Sequence, residues 1–191
     1  MTCTRLVGFN MYCPALASWW RTACLLVALC LLQGSFPTHA RATALELRDD
    51  LLSIEAWPAV TVLPDPSGTL LVSDVLAELA RFQTPPGTSG TLGVRAEPVW
   101  VRIPVTVPVA SNGLWVLDID YPVLQRIEVY LVADGHVTQQ ATLGSLQPYT
   151  QRPLRSRTHA LPLTMLPGHA YDLLLRVETR GAMVLPITLN K

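Results

Sequence analysis

The sequence predicts an all-β fold: a jelly-roll-like antiparallel β-sandwich with one short helix, preceded by a signal peptide. Three observations lead there. From Val99 onward, apolar and polar residues alternate in short runs with no helical periodicity between them. Sixteen prolines in 191 residues argue against a helical bundle, because proline breaks helix interiors. Half of the residues are hydrophobic and only 15% are charged, which suits a packed core and argues against disorder.

The leader comes first. Ala23–Leu32 is an apolar run behind Arg5 and Arg21, and Thr38-His39-Ala40 is a small-x-small sequence just before Arg41. A basic start, a short apolar stretch and such an end describe an exported protein's signal peptide. The run is short for a bilayer crossing, which takes about 20 apolar residues, so an uncleaved N-terminal anchor is the lesser alternative. Leu29 is too bulky for the small residue that a lipoprotein cleavage site needs before Cys30. The expected division is residues 1–40 as leader, 41–64 as an N-terminal strand and linker, and 65–191 as the sandwich. Export places the remainder in the periplasm or on the periplasmic face of the inner membrane.

All four cysteines fall within the first thirty residues, so disulfides, Cys-based zinc sites and Cys nucleophiles are excluded from the rest of the chain. From residue 41, twelve Lys and Arg stand against fourteen Asp and Glu, a net charge of −2. Eleven of the twelve bases are arginines spread along the chain, which argues against a nucleic-acid partner.

Leu45-Glu46-Leu47-Arg48 alternates as a short strand, and Asp65-Pro66-Ser67-Gly68 is a turn. Ser73–Phe82 reads as the one helix: Ser73 suits the cap, Asp74 the first turn, and Val75, Leu76, Leu79 and Phe82 share a face. The glycines of Thr84–Gly93 are not followed by a helix, so a phosphate-binding loop is excluded. In the next strand Val101, Ile103, Val105 and Val107 alternate with Trp100, Arg102, Pro104 and Thr106, and Pro104 predicts an edge or a bulge. Trp115, Leu117, Ile119 and Tyr121 share one face, and Val116, Asp118 and Asp120 the other. Ile127, Val129 and Leu131 alternate with Arg126, Glu128 and Tyr130, and Asp134-Gly135 signals a tight hairpin. Arg157–Leu163, Tyr171–Thr179 and Val184–Leu189 complete the strands.

Catalytic and metal patterns are missing. His136, His159 and His169 have no metal-ligand spacing and are expected on surfaces or loops. Asp118 and Asp120 point to one face, as a glycosidase pair or a cation site would need, but a solvated outer face accounts for them. No cofactor is expected. The candidate ligand-binding residues are Arg102, Arg126, Tyr130, Arg152 and Arg155. Arg102 and Arg176 sit among apolar neighbours and need either an anion or an internal partner, for which Glu97, Asp118 and Glu178 are candidates. Tyr130 lies on the polar face with an apolar body and a polar tip. Arg152, Arg155 and Arg157 form the one local basic cluster.

An ordered set of residues resembles a known module. It runs from Asp65-Pro66-Ser67-Gly68 through Trp100-Val101-Arg102, Trp115-Val116-Leu117 and Tyr121-Pro122-x-Leu124. It continues with Val129-Tyr130-Leu131, Arg152-Pro153 and Pro167-Gly168, and closes with Leu175-Arg176-Val177-Glu178-Thr179-x-Gly181. This set, spanning roughly residues 60–190, resembles the extracellular sensor domain of bacterial 7TM-DISM receptors, the jelly-roll type likened to carbohydrate-binding domains. Gln125 departs from it, standing where the family commonly has an acid. The resemblance implies a non-catalytic input domain for a small molecule, such as a carbohydrate. If the chain is a fragment of such a receptor, its partners are membrane helices and a cytoplasmic signalling domain. A protein-interaction or dimerisation module without a small ligand is the alternative.

Overall fold

The computed structural model describes residues 43–86 and 90–191. The predicted leader lies outside them. The described residues form twelve strands. They are β1 (Leu45–Glu46), β2 (Ser53–Glu55), β3 (Thr61–Pro64), β4 (Thr91–Val94), β5 (Val99–Thr106), β6 (Leu114–Ile119), β7 (Arg126–Ala133), β8 (His136–Leu143), β9 (His159–Thr164), β10 (Ala170–Glu178), β11 (Ala182–Val184) and β12 (Ile187–Asn190). One α-helix, α1 (Val72–Ala77), interrupts them.

Two sheets face each other. One runs β1-β5-β10-β7-β8 with β3 also on β5, the other runs β2-β12-β6-β9, and β4 with β11 forms a separate ribbon. From β5 to β10 each strand changes sheet except across the β7–β8 hairpin, which is jelly-roll connectivity. The pairing is antiparallel but for β1, which runs parallel to β5. Residues 43–64, expected as one strand and a linker, instead supply three strands of the sandwich. Their runs are only two to four residues long, too short for the alternation to register in sequence.

Alternation decides the core. Val99, Val101, Ile103 and Val105 of β5 meet Trp115, Leu117 and Ile119 of β6 and Leu173, Leu175 and Val177 of β10 in one buried cluster. Pro104 marks neither an edge strand nor a bulge: β5 is paired on both sides, with β10 in unbroken register on one and β1 and β3 on the other, and the proline falls in the gap between those two. Thr106 O accepts from Leu47 N at 2.8 Å, so the even-numbered backbone groups of β5 face β1 and β3. Between those two short partners the proline lacks a donor where none is needed.

The outer face of the larger sheet carries a second cluster of Leu63, Val75, Trp100, Val132 and Leu174, covered by Leu76, Leu79 and Phe82. The predicted helical face is thus the packing face. The helix itself is shorter than Ser73–Phe82: α1 ends at Ala77 and Leu79–Arg81 is a single 3-10 turn. Leu71 rather than Ser73 is its N-cap, and Asp74 accepts the Leu71 backbone N–H at 2.9 Å. At the hairpin tip, Asp134 and Gly135 both take positive φ (49° and 76°), as a type I′ turn requires. Gln139 joins the two sheets at their open side, its Nε2 donating to Pro162 O at 2.7 Å.

Lys191 fastens the end of β12 to the β1–β2 connection. Its Nζ donates to Asp49 Oδ1 at 2.6 Å and Asn112 Oδ1 at 2.5 Å, 4.9 Å from the centre of the Trp115 ring. Asp49 is held at a pKa of about 2, by the Lys191 hydrogen bond first and then by the Ser111 hydroxyl and the Asn112 N–H. A carboxylate with a depressed folded pKa adds stability above its unfolded pKa and loses it as pH falls through the folded one. Asp49→Asn is therefore expected to remove the part of the acid destabilisation that falls between roughly pH 4 and pH 2. Parallel acid-unfolding curves check this. Curves of identical shape would show that Asp49 gains nothing from the clasp.

Candidate functional site

The five candidate residues do not converge. Arg102 lies on the outer face of the larger sheet and forms a two-point fork with Asp172 of β10: Nε to Oδ1 at 2.7 Å and Nη2 to Oδ2 at 3.1 Å. Both side chains are about one-fifth exposed (19% and 21%). The expectation of an internal partner holds for both arginines: Arg102 takes Asp172, which was not among the expected acids, and Arg176 faces the expected Glu178 at 3.6 Å. Glu97 pairs instead with Arg95 at 3.4 Å.

The fork forms part of the wall of a cleft of about 580 Å³. Leu76, Leu79, Pro104 and Val132 give it an apolar wall, and Thr106 and Asp134 add polar groups. Its size is ordinary for a small-molecule site. A guanidinium has five N–H donors, of which the fork uses two. The wall therefore offers fixed donors and acceptors beside an apolar surface.

Tyr130 is half-buried and stacks on Trp100, with ring centroids 5.8 Å apart and planes at 28°. It packs against the cluster beneath α1, and its hydroxyl is pushed above the usual range by burial and then by the Glu128 charge. It therefore packs at this layer's margin and is absent from the wall of the Arg102 cleft. Arg152 is engaged by its own loop: Nη1 donates to Ser156 O at 3.1 Å, and the guanidinium lies 5.4 Å from the Tyr149 ring centre. Arg155 and Arg157 are exposed nearby.

Arg126 is at the other end of β7. It pairs with Glu128 at 2.7 Å and lines a second cleft, of about 660 Å³, with Arg95, Gln125, Glu178 and Arg180. Arg176, only 13% exposed, donates to Gly68 O at 2.9 Å and faces Glu128 at 3.7 Å and Glu178 at 3.6 Å. Gly68 belongs to the Asp65 turn. There the fully buried Asp65 stays ionised against burial because Ser67 Oγ, Leu70 N and Gly68 N donate to it and Arg176 is near.

The histidine expectation fails at one position. His159 opens β9 opposite Ile119 and is 2% exposed, while His136 and His169 are exposed as expected. Burial, then the charge of Arg152, pushes its pKa down. The sequence signal was its place just before the apolar Ala160-Leu161, where alternation points it inward. Asp118 is also less solvated than expected: it is half-buried, with Oδ1 enclosed, and of the two only Asp120 is exposed. Among the described residues no group of His, Asp and Glu is placed to hold a metal ion.

The described residues define an all-β sandwich with jelly-roll connectivity. The chain belongs to the 7TMR-DISM extracellular 2 family, whose model matches residues 58–191. This is a family of extracellular receptor domains, as the ordered residue set implied. No helix among the described residues is long and apolar enough to cross a membrane. No curated protein matches the chain. Among solved structures, a family 35 carbohydrate binding module from Clostridium thermocellum shares 8% identity at a TM-score of 0.32, over 72% of this chain and 96% of that one. A Paenibacillus sp. cycloisomaltooligosaccharide glucanotransferase, complexed with cycloisomaltoheptaose, shares 15% identity at a TM-score of 0.28, over 78% of this chain and 19% of that one. At such scores the overlap describes neither a shared site nor a shared ligand.

Proposed function

We propose that this chain is the ligand-sensing input domain of a membrane signalling receptor. In this reading it is exported, non-catalytic, and binds a small polyhydroxylated molecule such as a carbohydrate in the Arg102–Asp172 cleft. Family membership supports the receptor context, and with it membrane helices and a cytoplasmic signalling domain as partners. The observation that carries the ligand class is the fork. It presents rigid, charged donors and acceptors at the foot of an apolar wall, which matches the hydroxyl edges and C–H faces of a sugar ring. Leu76 and Leu79 belong to α1 and the turn after it, which lie over the sheet, so occupancy can be relayed by this covering segment.

The test is the unfolding midpoint of the purified chain against a panel of mono- and disaccharides. A ligand at a hundred times its Kd adds about 2.7 kcal/mol of stability, an easily seen rise. Asp172→Asn, which keeps shape but breaks the charge match, is expected to abolish the rise. A panel with no stabilising member, or a rise that survives in Asp172→Asn, would remove this reading.

A second reading has one observation behind it. Val109, Leu114 and Leu166 are 83%, 55% and 62% exposed in the loops and strand end around Gly113 and Met165. An apolar end of this kind suits a protein contact or self-association without a small ligand. Light scattering that shows one monomeric mass across concentrations would dismiss self-association.

A further inference from the structure

We propose that the cleft around Arg126 and Arg180 is a second ligand site, which takes a small organic carboxylate whose carbon skeleton rests on Val94 and Leu146. It lies apart from the Arg102 cleft. Arg126 lines one and Val132 the other, six residues along β7 and so roughly 20 Å away.

Charge supplies the first argument. Arg95, Arg126 and Arg180 line the cleft with a single carboxylate, Glu178. Glu97 faces Arg95, Glu128 is shared by Arg126 and Arg176, and Glu178 faces Arg176 as well. Arg176 is also met by the ionised Asp65 nearby, whereas Arg180 makes no ion pair among the described residues and is the cleft's uncompensated cation. The Arg126–Glu128 pair is also half-exposed on its arginine side, so an incoming carboxylate competes with it at small cost.

Shape and rim supply the second. Val94 and Leu146 are 76% and 70% exposed and stand on the same cleft, giving an apolar wall next to the cationic groups. A ligand that is both anionic and apolar fits this wall, whereas an inorganic anion leaves it unused. Gln125 fixes the rim, its Oε1 accepting the Arg180 backbone N–H at 2.8 Å. An acid at this position would keep that acceptor and cancel the surplus charge; glutamine keeps the acceptor alone.

The last point sets the experiment. The full chain is titrated with hexanoate and, separately, with hexanol at low ionic strength by calorimetry. Saturable binding of hexanoate is expected, with none of hexanol. Gln125→Glu retains the rim hydrogen bond and is expected to weaken hexanoate roughly tenfold, with its unfolding midpoint unchanged. Arg180→Gln, an exposed change that the fold tolerates, is expected to weaken it similarly and replaces Gln125→Glu if that variant is unstable. Asp172→Asn, in the other cleft, is expected to leave hexanoate binding intact, so this site and the sugar reading fail independently. Absence of saturation, equal binding of hexanol, or undiminished binding in Arg180→Gln overturns the proposal.

Discussion

Arg176→Met is expected to lower the unfolding midpoint by on the order of 10 °C. The methionine keeps the apolar stem, so the loss is that of the guanidinium. That group is 13% exposed and reaches three partners at once: Gly68 O at 2.9 Å, and the Glu128 and Glu178 carboxylates at 3.7 and 3.6 Å. Removing one side of a largely buried charge network leaves the other side uncompensated. At these longer separations that costs roughly 2–4 kcal/mol. The Asp65 turn also loses the carbonyl contact that fastens it to the sheet. Arg176→Lys is expected to recover little, because an ammonium cannot span the same three directions. Thermal unfolding of both variants checks this. A midpoint within a degree or two of the parent would show that the network contributes nothing net.

Gly144→Ala is expected to cost more than 3 kcal/mol and to disturb the Arg126 cleft. Gly144 follows β8 with φ of 124°, a conformation that side chains rarely adopt. A Cβ there would be 2.2 Å from Gln125 O and 2.9 Å from Arg126 Cα. Both contacts are with backbone, so no rotamer change relieves them. The crowding reflects how closely the two segments run, with Ser145 N donating to Leu124 O at 2.7 Å and Leu146 N to Gln125 O at 3.2 Å. A displaced segment would carry Leu146 and the Gln125 rim with it. The variant should therefore show both a lower denaturant midpoint and weaker hexanoate binding. Gly135→Ala is the control: it has positive φ but open space around it, so it pays only the backbone term. Equal losses in the two variants would mean that the close approach does not matter.

Much of the fold was legible because strand alternation is a local signal. Val101, Ile103 and Val105 point inward for the same reason that Arg102 and Thr106 do not: the side-chain period of a strand is two. The same holds for Trp115, Leu117 and Ile119, for the Asp134-Gly135 hairpin, and for the helical face of Val75, Leu76, Leu79 and Phe82. What alternation cannot show is which outward-facing residues become neighbours. Tyr130 has the polar-face position of a groove residue, yet it stacks on Trp100 because β5 and β7 flank β10 in this sheet. Arg102 needed a partner on electrostatic grounds, but Asp172 is seventy residues away and is reached through the antiparallel β5–β10 register.

The sequence by itself therefore determined the class of fold, the inward faces and the need for charge compensation at Arg102 and Arg176. Tertiary structure alone decided the partners. It set Asp172 against Arg102, Gly68 and two glutamates against Arg176, Gln125 beneath the Arg180 backbone, and Lys191 against Asp49. The physical reason is that periodicity and burial preference are properties of neighbouring residues. Strand order and register are set by the packing of the whole sandwich, and only they place distant charges within reach of one another.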